Sequence, residues 1–247
     1  MTYIKTSRPL KISRANLQLF KECPRCFWLY KHKDIRRPPG YPYTLSIAVD
    51  QLLKAEFDQY RERGEMHPAL VGYKGLEEAK LFSDQLQLQK WRNNFEGLKY
   101  HDEDLDATLF GAVDDMLEFP DGSLAVIDYK SSGAKEITVY DDYKMQMDIY
   151  TYILEQIGHK TAKKGYFVFY QVDKTQGFSA EGGSASGGKG RLPFRGEIRE
   201  VDTDSSYVHD LFAQAVDLAR SDTPPKSHSD CEYCIWAGHH KELEPGF

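Results

Sequence analysis

The chain has 247 residues, 40% hydrophobic and 28% charged, with a formal net charge of −6 at pH 7. That composition is globular rather than disordered, and the acidic balance excludes a chain-wide polyanion binder while leaving room for a local basic patch. Apolar runs such as Tyr166–Tyr170 fall far short of the roughly 20 residues of a membrane helix, and residues 1–13 hold no apolar secretory segment, so a soluble, cytoplasmic protein with no membrane partner is expected.

Between residues 1 and 37 lie ten Lys and Arg against two acids, a local charge of +8. Arg14, Arg25, Lys31, Lys33, Arg36 and Arg37 belong to it, and such a lobe grips a phosphate backbone or forms a solvated helix face. Phe27, Trp28, Tyr30, Tyr41 and Tyr43 are interleaved with it, as core or as stacking platforms for bases. Ser13 is an expected helix N-cap ahead of Leu17, Phe20, Phe27 and Trp28. A Pro38-Pro39-Gly40 break closes this basic segment, and residues 1–44 form one expected unit. Leu45–Arg63 has helical periodicity with Ile47, Val49, Leu52, Leu53 and Phe57 as the buried stripe. Residues 64–100 read as helix or irregular chain. Thr108–Phe119 and Leu124–Ser131 are expected strands, Tyr140–Ile157 a helix, Gly165–Val172 and Gly196–Val201 paired strands, and Ser205–Arg220 an amphipathic helix. The order gives an α/β fold with a mixed central sheet flanked by helices. Residues 45–222 would be its core and 223–247 a Cys-bearing tail. Residues 177–190, rich in Gly and Ser, read as a flexible loop. Gly183, Gly188 and Lys189 approach a P-loop, but Gly190 stands where a hydroxyl must bind magnesium and Pro193 follows, so an NTPase is excluded.

The hairpin carries the chemistry. Pro120-Asp121-Gly122 suits a three-residue turn with Gly122 left-handed. Residues 119 and 123 then pair, which sets Asp114 opposite Asp128, and alternation puts Lys130 on the face of Asp128. Facing carboxylates repel unless something neutralises them. Mg²⁺ or Mn²⁺, held by Asp114, Asp128 and the Tyr129 carbonyl, would do so, and Lys130 could activate water for phosphodiester hydrolysis. The alternative is a charged outer face with an exposed ion pair.

All four cysteines fall in two pairs, Cys23-x-x-Cys26 and Cys231-x-x-Cys234. In a reducing compartment this is a metal-site pattern rather than a disulfide framework. It would clasp the N- and C-terminal segments through Zn²⁺ or a [4Fe–4S] cluster, a choice spacing leaves open. His240 is a minor ligand candidate, and the other histidines show no site-like spacing.

Gly111-Ala-Val-Asp114, the hairpin, Asp128-Tyr-Lys130 and then Gln146-x₃-Tyr150 resemble the PD-(D/E)XK nucleases of the RecB-like exonuclease branch. Leu10–Ser13 and Cys23–Phe27 resemble that branch's N-terminal motif. The resemblance implies a restriction-endonuclease-like core that cleaves DNA, single-stranded or at ends. Its setting would be repair, recombination or CRISPR spacer acquisition, alongside a helicase or CRISPR adaptation partner. It implies that Gln146 orients groups at the catalytic centre and that Tyr150 contacts substrate or supports the site. It also tilts the cysteines towards iron–sulfur, although that branch commonly uses one N-terminal and three C-terminal cysteines. The branch usually carries a metal-binding His on its first core helix. Asp50 occupies that place here, either as an alternative ligand or as the mark of a weakened site. The rival reading is a non-catalytic nucleic-acid- or protein-binding module that keeps the nuclease fold.

Overall fold

Ser13 ends β1 (Leu10–Ser13) and begins α1 (Arg14–Glu22) as its residue type dictates. Its hydroxyl accepts the Asn16 N–H at 3.1 Å while Asn16 Oδ1 accepts the Ser13 N–H at 3.2 Å, a reciprocal cap. The computed structural model describes residues 9–40, 43–175, 179–181 and 189–243. Cys23 ends α1 and caps α2 (Pro24–Lys33), whose first residue is a proline that needs no partner for its missing N–H. Asp34, left-handed at φ 50°, stops that helix.

In α3 (Thr44–Glu62) only Leu53, Phe57 and Arg61 are buried. Ile47 and Leu52, expected in the stripe, are exposed. The inward face runs through Asp50, Lys54 and Asp58 as well as Leu53 and Phe57, so a polar row shares it.

Residues 64–100 hold β2 (Lys80–Leu81), α4 (Gln85–Arg92) and the start of β3 (Leu98–Asp102). The strand expected over Thr108–Phe119 is two strands in two sheets. β4 (Ala107–Gly111) lies between β1 and β3, whereas β5 (Asp115–Glu118) pairs with β6 (Leu124–Ser132). The chain leaves the ladder at Ala112–Asp114 because other elements take its backbone groups. Val113 N–H donates to Trp91 O at 3.1 Å, and Arg92 Nε donates to Asp114 O at 2.6 Å. The hairpin register is the expected one, Asp115 facing Ile127 through Glu118 facing Leu124, with Gly122 at φ 77°.

After β6 the chain crosses through α5 (Asp141–Gln156) to β7 (Thr161–Val172), parallel to β6, and β10 (Phe194–Asp202) is antiparallel to β7. The larger sheet therefore runs β10-β7-β6-β5-β2. α5 and α6 (Val208–Arg220) pack on one face with Val126 and Phe167, and α3 packs on the other with Ile127 and Tyr129. Within the segment expected as a loop, β8 (Ser179–Glu181) and β9 (Lys189–Arg191) form an antiparallel ribbon. The rest of that expected loop lies outside the described residues, as does the Gly183–Gly188 stretch, while Lys189 begins a strand where a P-loop would open a helix. α7 (Glu232–Leu243) follows the second Cys. No described helix is long and apolar enough to cross a membrane.

Candidate active site and metal centre

Alternation along β6 sends Asp128 and Lys130 towards α5 and Tyr129 towards α3. Asp128 is 3% exposed; its carboxylate pairs with Lys130 and accepts the side-chain amide of Gln146. Burial and the charge of Asp114 push the Asp128 carboxyl up to about 6, against the opposing pull of Lys130 and Gln146. Asp114 sits one residue beyond the last ladder pair rather than within it. From there Asp114 Oδ2 accepts the backbone N–H of Tyr129 at 3.0 Å. The N–H and C=O of one strand residue point the same way, so the Tyr129 carbonyl faces this gap too. Two carboxylates and a carbonyl, all hard oxygen donors, thus converge, and the set fits Mg²⁺ or Mn²⁺.

Lys54 was not anticipated from the sequence. Its ammonium bridges Asp50 Oδ2 and Asp114 Oδ1, each at 2.8 Å; burial is the largest single effect and lowers its pKa, but the two carboxylates, Asp114 first, together outweigh it and leave the pKa raised. Asp50 therefore reaches the site through Lys54, one helical turn further along α3.

Gln146 and Tyr150, at i and i+4 on α5, share one face. Tyr150 is 3% exposed, its phenol donates to Ala112 O at 2.6 Å, and its ring lies where a Cβ on Gly111 would come within 2.6 Å. It braces the 112–114 turn and, so enclosed, has little surface to offer a substrate. Burial raises the Tyr150 pKa, so the phenol stays protonated as a donor.

A second network, also missed, fixes Asp115 on the opposite face. Its carboxylate accepts from Arg61 at 2.6 and 2.7 Å, from Tyr129 Oη at 2.6 Å and from Arg92 at 3.0 Å, and Asp58 pairs with both arginines. The signal was the doublet Asp114-Asp115. In a strand one of the two must point into a core, where only a paired charge is tolerated.

The four cysteine sulfurs lie within 4.8 Å of one another, although the pairs are about two hundred residues apart. Cys26 Sγ is 3.6 Å from Cys231 Sγ and 3.7 Å from Cys234 Sγ, and Cys23 Sγ is 3.8 Å from Cys234 Sγ. Burial pushes the Cys23 thiol up, but the backbone N–H groups offered by Cys26 and the His228 region, with its sulfur neighbours, bring it down to about 7. The side chain of His240 lies outside the described residues.

The basic lobe divides. Arg37 pairs with Glu22, donates to Cys231 Sγ at 3.7 Å and lies 4.7 Å from the Tyr233 ring centre. Lys31 donates to Lys11 O at 2.6 Å, and burial lowers its pKa to about 8. Arg14 bonds Gln18 at 2.6 Å, and its Cβ borders the same Gly111 position as Tyr150. Arg25, Lys33 and Arg36 are exposed, Arg36 pairing with Asp34. Arg25, Arg36 and Arg37 line a groove of about 920 Å³ with Tyr233 and Trp236. Phe27 and Trp28 are core residues.

No curated protein sequence matches the chain. Among solved structures, one titled "Crystal structure of SSO0001" is similar at 15% identity and a TM-score of 0.46, covering 96% of this chain and 88% of its own. The sequence model of the PD-(D/E)XK nuclease superfamily matches residues 11–238, from β1 to α7 and across every acidic and basic group of the hairpin site. The chain belongs to the PD-(D/E)XK nuclease superfamily.

Proposed function

We propose that the protein is a divalent-metal-dependent DNA nuclease, an exonuclease acting on single strands or DNA ends. The observation that carries this reading is the meeting of Asp114, Asp128 and Lys130 where the β5–β6 ladder ends. Asp114, Asp128 and the Tyr129 carbonyl would hold Mg²⁺ or Mn²⁺, which when bound neutralises charge on the scissile phosphate. Lys130, held on the Asp128 carboxylate, would position the attacking water and neutralise charge that develops on the phosphate oxygens. Gln146 holds the Asp128 carboxylate in place, Tyr150 sets the turn that carries Asp114, and Asp50 acts through Lys54. Arg25 and Arg36, exposed along the groove, support a path for the DNA backbone. The N-terminal motif and the Gln146–Tyr150 pair support a role in repair, recombination or CRISPR adaptation.

The experiment is cleavage of end-labelled single- and double-stranded DNA with Mg²⁺, Mn²⁺ or EDTA, beside Lys130→Ala. Metal-dependent shortening from the ends, lost in Lys130→Ala, is expected. DNA retention without cleavage by the metal-supplied wild type would instead establish a binding module, the reading favoured by the Lys54 ammonium on Asp114.

A further inference from the structure

We infer that the four cysteines hold one tetrahedral zinc ion, not the four-iron cluster that the resemblance implies. This stands apart from the nuclease reading. The argument is the spacing of the sulfurs. Four thiolates around a single zinc at about 2.3 Å sit at the corners of a tetrahedron with edges of about 3.8 Å. Three edges here are 3.6, 3.7 and 3.8 Å, and no pair exceeds 4.8 Å. A [4Fe–4S] cube inserts its own irons and sulfides between the ligands and drives the thiolates to about 6 Å apart. Cys23, Cys26 and Cys231 are buried at the junction of α2 and α7, so that expansion would have to displace packed neighbours.

The surroundings fit the single ion. Each Cys-x-x-Cys spans a helix N-terminus: Cys23 O accepts the Phe27 N–H at 3.1 Å, and Cys231 O accepts the Cys234 and Ile235 N–H groups at 3.0 Å. Two helix N-termini and the Arg37 guanidinium thus face a centre of net charge −2, four thiolates against one Zn²⁺. The ion also explains how α7 is fastened. Among its described residues and Cys231, only Cys231 is buried, and Tyr233, Ile235 and Trp236 are exposed, Trp236 by 66%. Among its described residues α7 places no apolar side chain in the core, and the chelate would supply that anchorage.

The test is elemental analysis and zinc-edge X-ray absorption on the full chain, purified anaerobically from cells supplied with both iron and zinc. One zinc per chain with four sulfur neighbours at about 2.3 Å, and colourless protein, is the expected result. Brown protein with about four irons and four sulfides per chain would overturn the inference, and so would protein holding no stoichiometric metal. Limited proteolysis gives a second readout. Stripping the wild type with a zinc chelator should expose the 221–231 segment to cleavage at least tenfold faster, with the α/β core still resistant. Equal protection before and after stripping would remove the ion from its fastening role.

Discussion

A single guanidinium nitrogen of Arg61, Nη2, straddles both carboxylate oxygens of Asp115 at 2.6 and 2.7 Å, where the two side chains are 3% and 0% exposed. Removing Arg61 leaves the buried Asp115 charge with Arg92, at 3.0 Å, as its one remaining guanidinium partner among the described residues, and takes away two of its hydrogen bonds. Arg61→Ala should cost about 3–5 kcal/mol, read as a lower midpoint in urea unfolding. A loss under about 1 kcal/mol, the scale of a surface pair, would show that the network is not what supports β5.

Lys130→Ala and Asp128→Asn should each lower cleavage by about 10²–10⁴-fold while leaving substrate retention within a few-fold of wild type. Single-turnover cleavage separates the two quantities. Equal losses in binding and turnover would place these groups in DNA contact rather than in chemistry.

The Lys54 ammonium lies on Asp114 Oδ1, where it would compete with a divalent cation. In Lys54→Met that competition is gone, and Mn²⁺ should bind about tenfold more tightly, about 1.4 kcal/mol, by calorimetry. Weaker binding would mean that the ammonium organises the carboxylates instead of opposing the metal.

A methyl group at Gly111 meets Tyr150 Cε1 at 2.6 Å and the Arg14 Cβ at 3.3 Å. Gly111→Ala should destabilise the fold by about 1–3 kcal/mol through overpacking. Because the displaced turn carries Asp114, turnover should fall as well. Tyr150→Phe, which keeps the ring and deletes the bond to Ala112 O, should cost only about 1 kcal/mol. Thermal melts beside turnover assays of both variants check the order.

His67 gives a pH dependence. Burial lowers its pKa, its ring stacks on Phe57 at 3.8 Å, and its Nδ1 accepts the Ala69 N–H at 3.1 Å, with the Glu56 carboxylate 3.3 Å away exerting the opposite pull. The unfolded chain binds a proton near pH 6.5 that the folded chain resists. Its contribution is therefore full above that pH and lost as pH falls towards the folded-state pKa. The unfolding free energy of the wild type should drop more steeply below pH 6.5 than that of His67→Gln. Parallel curves would mean that His67 titrates normally.

The hairpin was legible because turn chemistry and period 2 fix its register: Pro120-Asp121-Gly122 aligns Asp115 with Ile127 and puts Asp128 beside Lys130. The helices of Ser13 and Gln146 were legible from a cap and from periodicity. The break at Ala112–Asp114 was not, since nothing in Thr108–Phe119 announces that Trp91 and Arg92, on a separate helix, will take its backbone groups. Lys54 and Arg61 were hidden for a related reason. A cation on an amphipathic helix reads as solvated until its buried partner is known, and those partners lie 60 and 54 residues away. Arg37 and Lys31 show the converse, basic side chains counted towards a nucleic-acid surface that turn to a sulfur and a carbonyl.

The clasp cannot close until its second pair of cysteines has been made. Its two halves are separated by 205 to 211 residues along the chain. At a synthesis rate of about 5–20 residues per second, Cys23 and Cys26 wait roughly 10–40 seconds for their partners. During that interval α1 and α2 can already pack, but the thiols stand open to oxidation and to stray metals. The emergence of Cys231 and Cys234 is then the event that seals the first helices against the last.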